Sequence, residues 1–117
     1  MIKAIPLTKG MFCIVSDEDY AWAMQWQWFC TWSLKNKQKK GYAARSVRIE
    51  GKAKLIWLHK EVLLRHVGLP PTPAHIIGDH RNGDSLLNIR SNLRWATHQM
   101  NARNQFGIIT RQFELEV

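Results

Sequence analysis

The sequence predicts an α+β fold, in which a small three-stranded antiparallel sheet with helices precedes a polar tail. Strand-like runs separated by turns occupy residues 28–58, and residues 58–66 have the apolar spacing of a helix. The linker Pro70–Ala74, with three prolines, then separates this part from the polar tail. With 117 residues and 45% apolar side chains, the chain can bury a core without disulfides. We therefore expect two units, 1–69 and 70–117.

The first elements are a strand and a helix. Met11–Val15 is apolar and partly β-branched, which is typical of a strand. Ser16 or Asp17 is the expected N-cap of a helix, because acidic residues follow and favour a helix N-terminus. Tyr20–Trp26 continues this helix and places two tryptophans four residues apart, on one face.

The three-stranded sheet comes next. Trp28–Ser33 and Tyr42–Glu50 are strand-like, and the basic turn Lys35–Gly41 joins them. Gly51 breaks the second strand, and Ala53–Leu58 is the return strand. We expect most tryptophans in the core, namely Trp22, Trp26, Trp28, Trp32 and Trp57, with Trp95 packed against the polar tail.

The following helix spans Leu58–His66, because apolar residues recur there at helical spacing. Gly68 is its expected cap, and the prolines end it. Cys13 and Cys30 lack the spacing of a zinc or redox motif, so we expect two reduced, buried thiols. A strand is also expected near the end of the chain, at Gln112–Val117.

The chain carries 17 Lys and Arg against 9 Asp and Glu, a net charge of +8. This excess favours a polyanionic partner, although an acidic membrane surface or no specific anion would also fit. The sequence contains no long apolar run for a membrane span, and Met1–Gly10 does not look like a signal peptide. We therefore expect a cytoplasmic protein with no membrane partner.

The polar tail contains the groups that a hydrolytic metal site needs. Mg²⁺-like ions take oxygen ligands and keep several waters, so few protein ligands suffice. A histidine can take a proton from water, and a carboxylate and an amide can hold the ion. The groups occur in the runs Asp79-His80-Arg81-Asn82-Gly83-Asp84 and Asn92-Leu93-Arg94-Trp95-Ala96-Thr97, and at Asn101.

In order and spacing these runs resemble HNH nucleases of the phage and homing-endonuclease kind, in the variant whose last position is Asn. The resemblance implies a ββα-metal (His-Me finger) nuclease motif, in which Asp79 and His80 end the first strand. The loop 81–91 and the second strand Leu93–Ala96 follow. Thr97 then caps a helix that runs to about residue 104.

The resemblance also implies the roles of the residues. His80 is the general base, and Asp79 and Asn101 are ligands of Mg²⁺ or Mn²⁺. Asn92 completes the catalytic set by bracing the loop through side-chain-to-backbone hydrogen bonds, which orients His80. The loop departs from the usual pattern at Arg81, Leu87 and Ile89.

Residues 8–66 resemble more loosely the segment upstream of many phage HNH nucleases, part of which is similar to the DNA-binding sheet of plant ethylene-response factors. This likeness rests on Gly10, Val15–Tyr20, Trp28, Gly41–Ala43 and Leu58–Lys60. A basic sheet that contacts DNA phosphates is therefore expected, with a solvated hairpin tip as the alternative. The candidate DNA-binding residues are Lys35, Lys37, Lys39, Lys40, Arg45 and Arg48 at the sheet, and Arg90, Arg94 and Arg103 near the motif.

Three other histidines allow two interpretations each. His98 could replace Asn101 as a metal ligand, but its place at the first helical position favours Asn101. His59 is expected to make a structural hydrogen bond rather than to act in catalysis. His75 either touches phosphate or only ends the linker, and we favour the second interpretation.

The sequence therefore predicts a metal-dependent endonuclease that hydrolyses phosphodiester bonds of double-stranded DNA. One metal site implies one strand cut per active site, by a monomer or a homodimer. The alternatives are a non-catalytic DNA-binding module of the same fold and an RNA-directed nuclease. If the protein is encoded by a phage, the expected location is the cytoplasm of the host cell.

Overall fold

The computed structural model describes residues 1–35 and 38–106, with side chains for all of these except 34, 35, 38, 39 and 103–106. The fold is α+β. Its strands are β1 Ile2–Pro6, β2 Phe12–Ser16, β3 Phe29–Lys35, β4 Gln38–Ile49, β5 Lys52–Trp57, β6 Ile77–His80, β7 Leu87–Asn88 and β8 Leu93–Ala96. Its helices are α1 Asp17–Ala23, α2 Leu58–His66 and α3 His98–Phe106, with 3₁₀ turns at Thr8–Gly10 and Arg90–Asn92. The strand expected at Gln112–Val117 lies outside the described residues.

The predicted three-stranded antiparallel sheet is present, in the order β3-β4-β5. Ala44 of β4 pairs with Phe29 on one side and with Trp57 on the other. The twist of paired strands favours a two-residue hairpin turn with positive φ at both positions. Glu50 at 53° and Gly51 at 79° supply it. The prediction that the second strand breaks at Gly51 is thus confirmed.

Strand β4 begins earlier than the sequence predicts. Lys35–Gly41 is expected to be a solvated turn, but β3 and β4 stay paired out to Lys35 and Gln38. Gly41 suits this close pairing, because a Cβ at that position would lie 2.8 Å from the Cys30 sulfur. Continuous backbone pairing therefore extends the strand through residues of low strand propensity.

A second sheet has the order β1-β2-β7. Strand β2 confirms the predicted strand at Met11–Val15 with a shift of one residue. Its partners are not predicted: β1 pairs with it antiparallel, and β7 pairs with it parallel, placing Val15 opposite Asn88. Neither partner has a readable pattern, because β1 buries only Ile5 and β7 has two residues.

Helix α1 begins after the predicted N-cap, Ser16, and ends earlier than predicted. The Ser16 hydroxyl accepts a hydrogen bond at 2.9 Å from the backbone N–H of Arg90, outside the helix. The helix ends at Ala23, whose carbonyl accepts a hydrogen bond at 2.8 Å from Trp28 Nε1. This bond satisfies one of the carbonyls that a helix end leaves without a partner in the helix. The predicted continuation of the helix to Trp26 is wrong.

Helix α2 has the predicted bounds. Gly68 follows it with φ of 101°, and its N–H donates to the Leu63 carbonyl at 3.0 Å, as expected of a helix cap. The Thr97 hydroxyl accepts a hydrogen bond from the Met100 N–H at 3.1 Å, which confirms Thr97 as the N-cap of α3. None of the helices within 1–35 and 38–106 has the length and apolar composition needed to cross a lipid bilayer.

The hydrophobic core forms around α2, whose Leu58, Val62 and Leu63 are fully buried. It also contains Leu93 of β8, and α2 packs against β4, β5, β6 and β8. Helix α2 therefore holds the β3-β4-β5 sheet, hereafter the central sheet, against the paired strands β6 and β8. The division into units 1–69 and 70–117 stays a prediction.

The tryptophans and cysteines differ in burial. Trp28 is 4% exposed, as predicted for the core, but Trp32 is 42% exposed and its assignment to the core is wrong. Cys13 and Cys30 are not joined in a disulfide; Cys13 is buried as predicted, whereas Cys30 is half-buried. The partly buried tryptophans are Trp22, Trp26, Trp57 and Trp95.

Candidate active site

Strands β6 and β8 and helix α3 bring the candidate catalytic residues together. The strands pair antiparallel, with Asp79 opposite Arg94. Helix α3 follows β8 directly and packs against both strands. Asp79 and His80 from β6 and Asn101 from α3 consequently line one cavity of about 280 Å³. The elements that carry the site follow one another as strand, loop, strand and helix.

Another part of the cavity lining comes from the first part of the chain. The central sheet contributes Lys40 and Tyr42, and the start of α2 contributes His59 and Lys60. The loop before β7 is tied to the same sheet, because the Ser85 hydroxyl donates a hydrogen bond to the backbone carbonyl at position 41. The cavity thus brings a carboxylate and an imidazole together with lysine and aromatic side chains.

His80 is 6% exposed, and its Nε2 lies 2.7 Å from Oδ1 of Asn88. An amide oxygen only accepts hydrogen bonds, so in the neutral ring Nε2 carries the hydrogen and Nδ1 carries the lone pair. Burial lowers the pKa of His80 to about 4, although the hydrogen bond with Asn88 and the charge of Asp79 oppose this shift. The imidazole is therefore neutral at pH 7, the form that can accept a proton.

Asn88 is a site residue that the sequence interpretation missed. It is 1% exposed and belongs to β7, whose pairing with β2 sets its position. Its amide also hydrogen-bonds to the thiol of Cys13, whose pKa is raised to about 12, chiefly by burial. The signal in the sequence is slight: a single asparagine between Leu87 and Ile89, in the most apolar part of the loop.

Asn92 has the hydrogen bonds that the resemblance implies. Its Nδ2 donates to the Leu87 carbonyl at 2.8 Å, and its Oδ1 accepts from the Asn82 N–H at 3.1 Å. The side chain is fully buried and spans the loop from 82 to 87. Gly83, with φ of 80°, makes the predicted turn at Asn82. Asn92 therefore holds the loop, while Asn88 contacts the His80 ring directly.

Asp79 is 3% exposed, and its Oδ2 accepts a hydrogen bond from Arg94 Nε at 2.8 Å. With the side-chain carbonyl of Asn101, it gives the cavity two oxygen donors suited to a hard divalent ion. Among the described residues there is no cluster of three or more His, Cys, Asp and Glu side chains that could bind a metal. A site built on two oxygen donors must complete its coordination with water and substrate oxygens, which is usual for Mg²⁺.

The two histidines that the sequence offers as alternative site residues, His98 and His75, lie outside the cavity lining. His98 is exposed and is not part of the cavity wall, whereas Asn101 is. His75 lies at the end of the linker, where its Nδ1 is 2.7 Å from the hydroxyl of Thr72. The cavity therefore contains Asn101 and neither of these two histidines.

Two of the basic candidates are at the cavity. Lys40 lines it, and its Nζ donates to the Gly83 carbonyl at 3.1 Å. Arg94 lies at its edge through the ion pair with Asp79 and is 29% exposed. Arg48 is exposed near the β4–β5 turn, where it donates to the Gly51 carbonyl at 2.7 Å. Lys37 lies outside the described residues, as do the side chains of Lys35, Lys39 and Arg103.

The side chains of two other basic candidates, Arg90 and Arg45, make contacts within the protein. Arg90 donates from Nε and Nη2 to the fully buried carboxylate of Asp19, at 3.0 and 2.8 Å. The guanidinium of Arg45 lies 4.2 Å from the centre of the Trp26 ring, and its Nε is buried with no hydrogen-bond partner among the described residues. These contacts argue against the predicted role of either arginine in holding phosphate, because both side chains are committed to packing within the protein.

His59, for which the sequence predicts a structural hydrogen bond rather than catalysis, also lines the cavity. It is 6% exposed, and its ring centre is 4.8 Å from that of His80. Tyr42 packs against both rings, with centres at 5.8 and 6.1 Å. Burial and the nearby Asp79 raise the pKa of Tyr42, so its hydroxyl stays protonated. His59 is therefore part of the candidate site and not of a distant scaffold.

Comparisons of the chain with protein-family models, with curated proteins and with solved structures found no match. The likeness to HNH nucleases therefore rests on the residues of the motif and on where they lie.

Proposed function

We propose that this protein is a metal-dependent endonuclease that hydrolyses phosphodiester bonds of double-stranded DNA, with an active site of the ββα-metal kind. One observation carries the proposal: a buried, neutral imidazole with its lone pair on Nδ1 lies in the same cavity as two oxygen donors, Asp79 and Asn101. A general base next to a site for a divalent ion is the combination that phosphodiester hydrolysis needs.

In the proposed reaction, Nδ1 of His80 takes a proton from a water molecule. The water oxygen attacks phosphorus, the bond to the leaving ester oxygen breaks, and that oxygen takes up a proton from solvent. His80 then gives its proton to solvent and returns to the neutral form. Asn88 keeps the hydrogen on Nε2 throughout, so that the lone pair stays on the nitrogen that accepts the proton.

Asp79 and Asn101 would hold Mg²⁺ or Mn²⁺ in this site. When bound, the ion supplies stabilisation of the charge that develops on the phosphate oxygens. Arg94 is paired with Asp79 in the described structure and can turn to the substrate phosphate. Lys40 and Lys60 add positive charge to the cavity lining.

Double-stranded DNA is the proposed substrate because the net charge of +8 favours a polyanion and because the basic central sheet forms one wall of the cavity. One cavity with one base predicts a cut in one strand per active site. A double-strand break then requires two protomers or two successive events.

The test is incubation of supercoiled plasmid with the protein and Mg²⁺ or Mn²⁺, beside a sample containing EDTA and beside a duplex RNA substrate. The proposal expects open-circle plasmid in the metal samples, none with EDTA, and intact RNA. Cleavage of RNA in place of DNA would support the RNA-directed alternative. A protein that shifts DNA in a gel with any of these ions but cuts nothing would be the non-catalytic module.

A further inference from the structure

A second histidine lies against the proposed base. His59, in the first turn of α2, lines the cavity and is 6% exposed. Its ring centre is 4.8 Å from that of His80, with 44° between the ring planes. At this distance the two rings are in contact, so neither can rotate far without moving the other.

The space that His59 occupies depends on a glycine. A Cβ on Gly78 would lie 2.7 Å from Cδ2 and 3.1 Å from Nε2 of the His59 ring. Gly78 is in β6, immediately before Asp79, and its φ lies outside the left-handed region, so the backbone does not require glycine there. The missing side chain therefore serves to admit the imidazole beside the catalytic strand.

Tyr42 closes the other side of the pair. Its ring centre is 5.8 Å from that of His59 and 6.1 Å from that of His80, and Trp57 packs edge-on against it at 5.9 Å. The three rings come from β4, α2 and β6. The position of the His80 ring is thus set by elements distant in sequence as well as by its own loop.

We propose that His59 is a positioning residue, which fixes the plane of the His80 ring so that Nδ1 faces the cavity. This inference rests on the proposed function of His80 as the base. The hydrogen bond to Asn88 forms only while the ring keeps the orientation that points Nε2 at the amide oxygen. A flat neighbour in contact with the ring limits its rotation away from that orientation. The role of His59 is one of shape and does not require its own proton.

The first experiment reads the His80 ring directly, by NMR of the full chain labelled with ¹⁵N-histidine, without metal or DNA. In the wild type, His80 should show one neutral tautomer with the hydrogen on Nε2. His59→Phe keeps a planar ring and should keep this signature, whereas His59→Leu, of similar size without a ring, should give averaged tautomers. If His59→Leu does not fold, Gly78→Ala, which displaces His59, should give the same averaging. His66→Ala is the control, since His66 is exposed on α2.

The second experiment measures DNA cleavage at saturating and at low substrate. His59→Leu should lower kcat roughly 10- to 100-fold with KM unchanged, because a displaced catalytic group costs rate and not binding. His59→Phe should restore kcat to within a few-fold of the wild type. A phenylalanine variant as slow as the leucine variant, or a leucine variant with the wild-type tautomer, would overturn the inference. Wild-type protein that cuts nothing would refute the proposed function, and the NMR comparison would still decide whether His59 positions His80.

Discussion

The amide oxygen of Asn88 lies 2.7 Å from Nε2 of His80, inside the protein and on a two-residue strand. Through this contact Asn88 holds the Nε2 side of the His80 ring, while Asn92 holds the surrounding loop. It also connects the candidate base to the second sheet, because β7 pairs with β2. The state of His80 consequently depends on the N-terminal part of the chain.

Replacing Asn88 by leucine should leave the buried Nε2 hydrogen of His80 without an acceptor. We expect a loss of about 1–3 kcal/mol in the free energy of unfolding and a fall in kcat of roughly 10- to 100-fold, since the tautomer is no longer fixed. Urea unfolding and single-turnover cleavage measure the two effects. Wild-type kcat in Asn88→Leu would mean that this hydrogen bond does not prepare the base.

The stability of the metal-free protein should fall as the pH is lowered through the range set by His80. Its pKa is about 4 in the folded protein, below the ordinary value of 6.5, so the unfolded chain binds the proton more readily between these values. The contribution of neutral His80 to the free energy of unfolding is complete above pH 6.5 and is lost as the pH falls towards 4. From pH 8 to pH 5 the loss should be about 2 kcal/mol.

Urea unfolding at both pH values, for the wild type and His80→Gln, isolates this contribution, because the other titrating groups are shared. The wild type should lose about 2 kcal/mol more than the variant. Equal losses in the two proteins would contradict the neutral, buried state of His80.

Arg94 should compete with a divalent ion for the carboxylate of Asp79, since its Nε is 2.8 Å from Oδ2. We expect Arg94→Gln to bind Mn²⁺ more tightly in the absence of DNA, by roughly 5- to 20-fold, because a buried carboxylate loses its charged partner. Calorimetric titration without DNA measures this affinity. Arg48→Gln, at an exposed arginine distant from Asp79 in sequence, is the matched control. Weaker Mn²⁺ binding by Arg94→Gln would show that the guanidinium supports the metal site.

Replacing Arg90 should lower the free energy of unfolding and leave the affinity for DNA nearly unchanged. Arg90 holds the fully buried Asp19 with two hydrogen bonds, and Arg65 contributes a third at 3.3 Å. Arg90→Met should lower the free energy of unfolding by about 2–4 kcal/mol, because Asp19 stays buried with one partner fewer. DNA affinity, measured where the variant is folded, should change little, whereas Lys40→Met at the cavity should weaken it. Loss of DNA binding in Arg90→Met at unchanged stability would restore the phosphate-clamp interpretation.

The parts of the fold that local signals determine could be predicted. The bounds of α2 follow from its apolar spacing and Gly68, and the β4–β5 turn follows from Gly51. That Asp79, His80 and Asn101 meet is implied by the resemblance of the motif to HNH nucleases and does not follow from the spacing itself. Each of these features depends on residues close together in sequence.

The rest depends on contacts between distant residues. Asn88 reaches His80 only because β7 pairs with β2, more than seventy positions earlier in the chain. His59 lies beside His80 because α2 packs under β6 and because Gly78 leaves space for a ring. Arg90 turns away from the cavity because Asp19 is buried on α1. The local periodicity of a sequence does not indicate such pairings. The roles of these residues could therefore be predicted only from their neighbours in the sequence.

The most direct test of the central claim is the rate of plasmid nicking by His80→Ala, compared with His66→Ala and the wild type at saturating Mg²⁺, with DNA binding measured in parallel. If His80 is the base, His80→Ala should nick roughly 10²–10⁴ times more slowly while binding DNA as the wild type does, and His66→Ala should nick at the wild-type rate. Nicking by His80→Ala at the wild-type rate would contradict the account, because another group would then be the base.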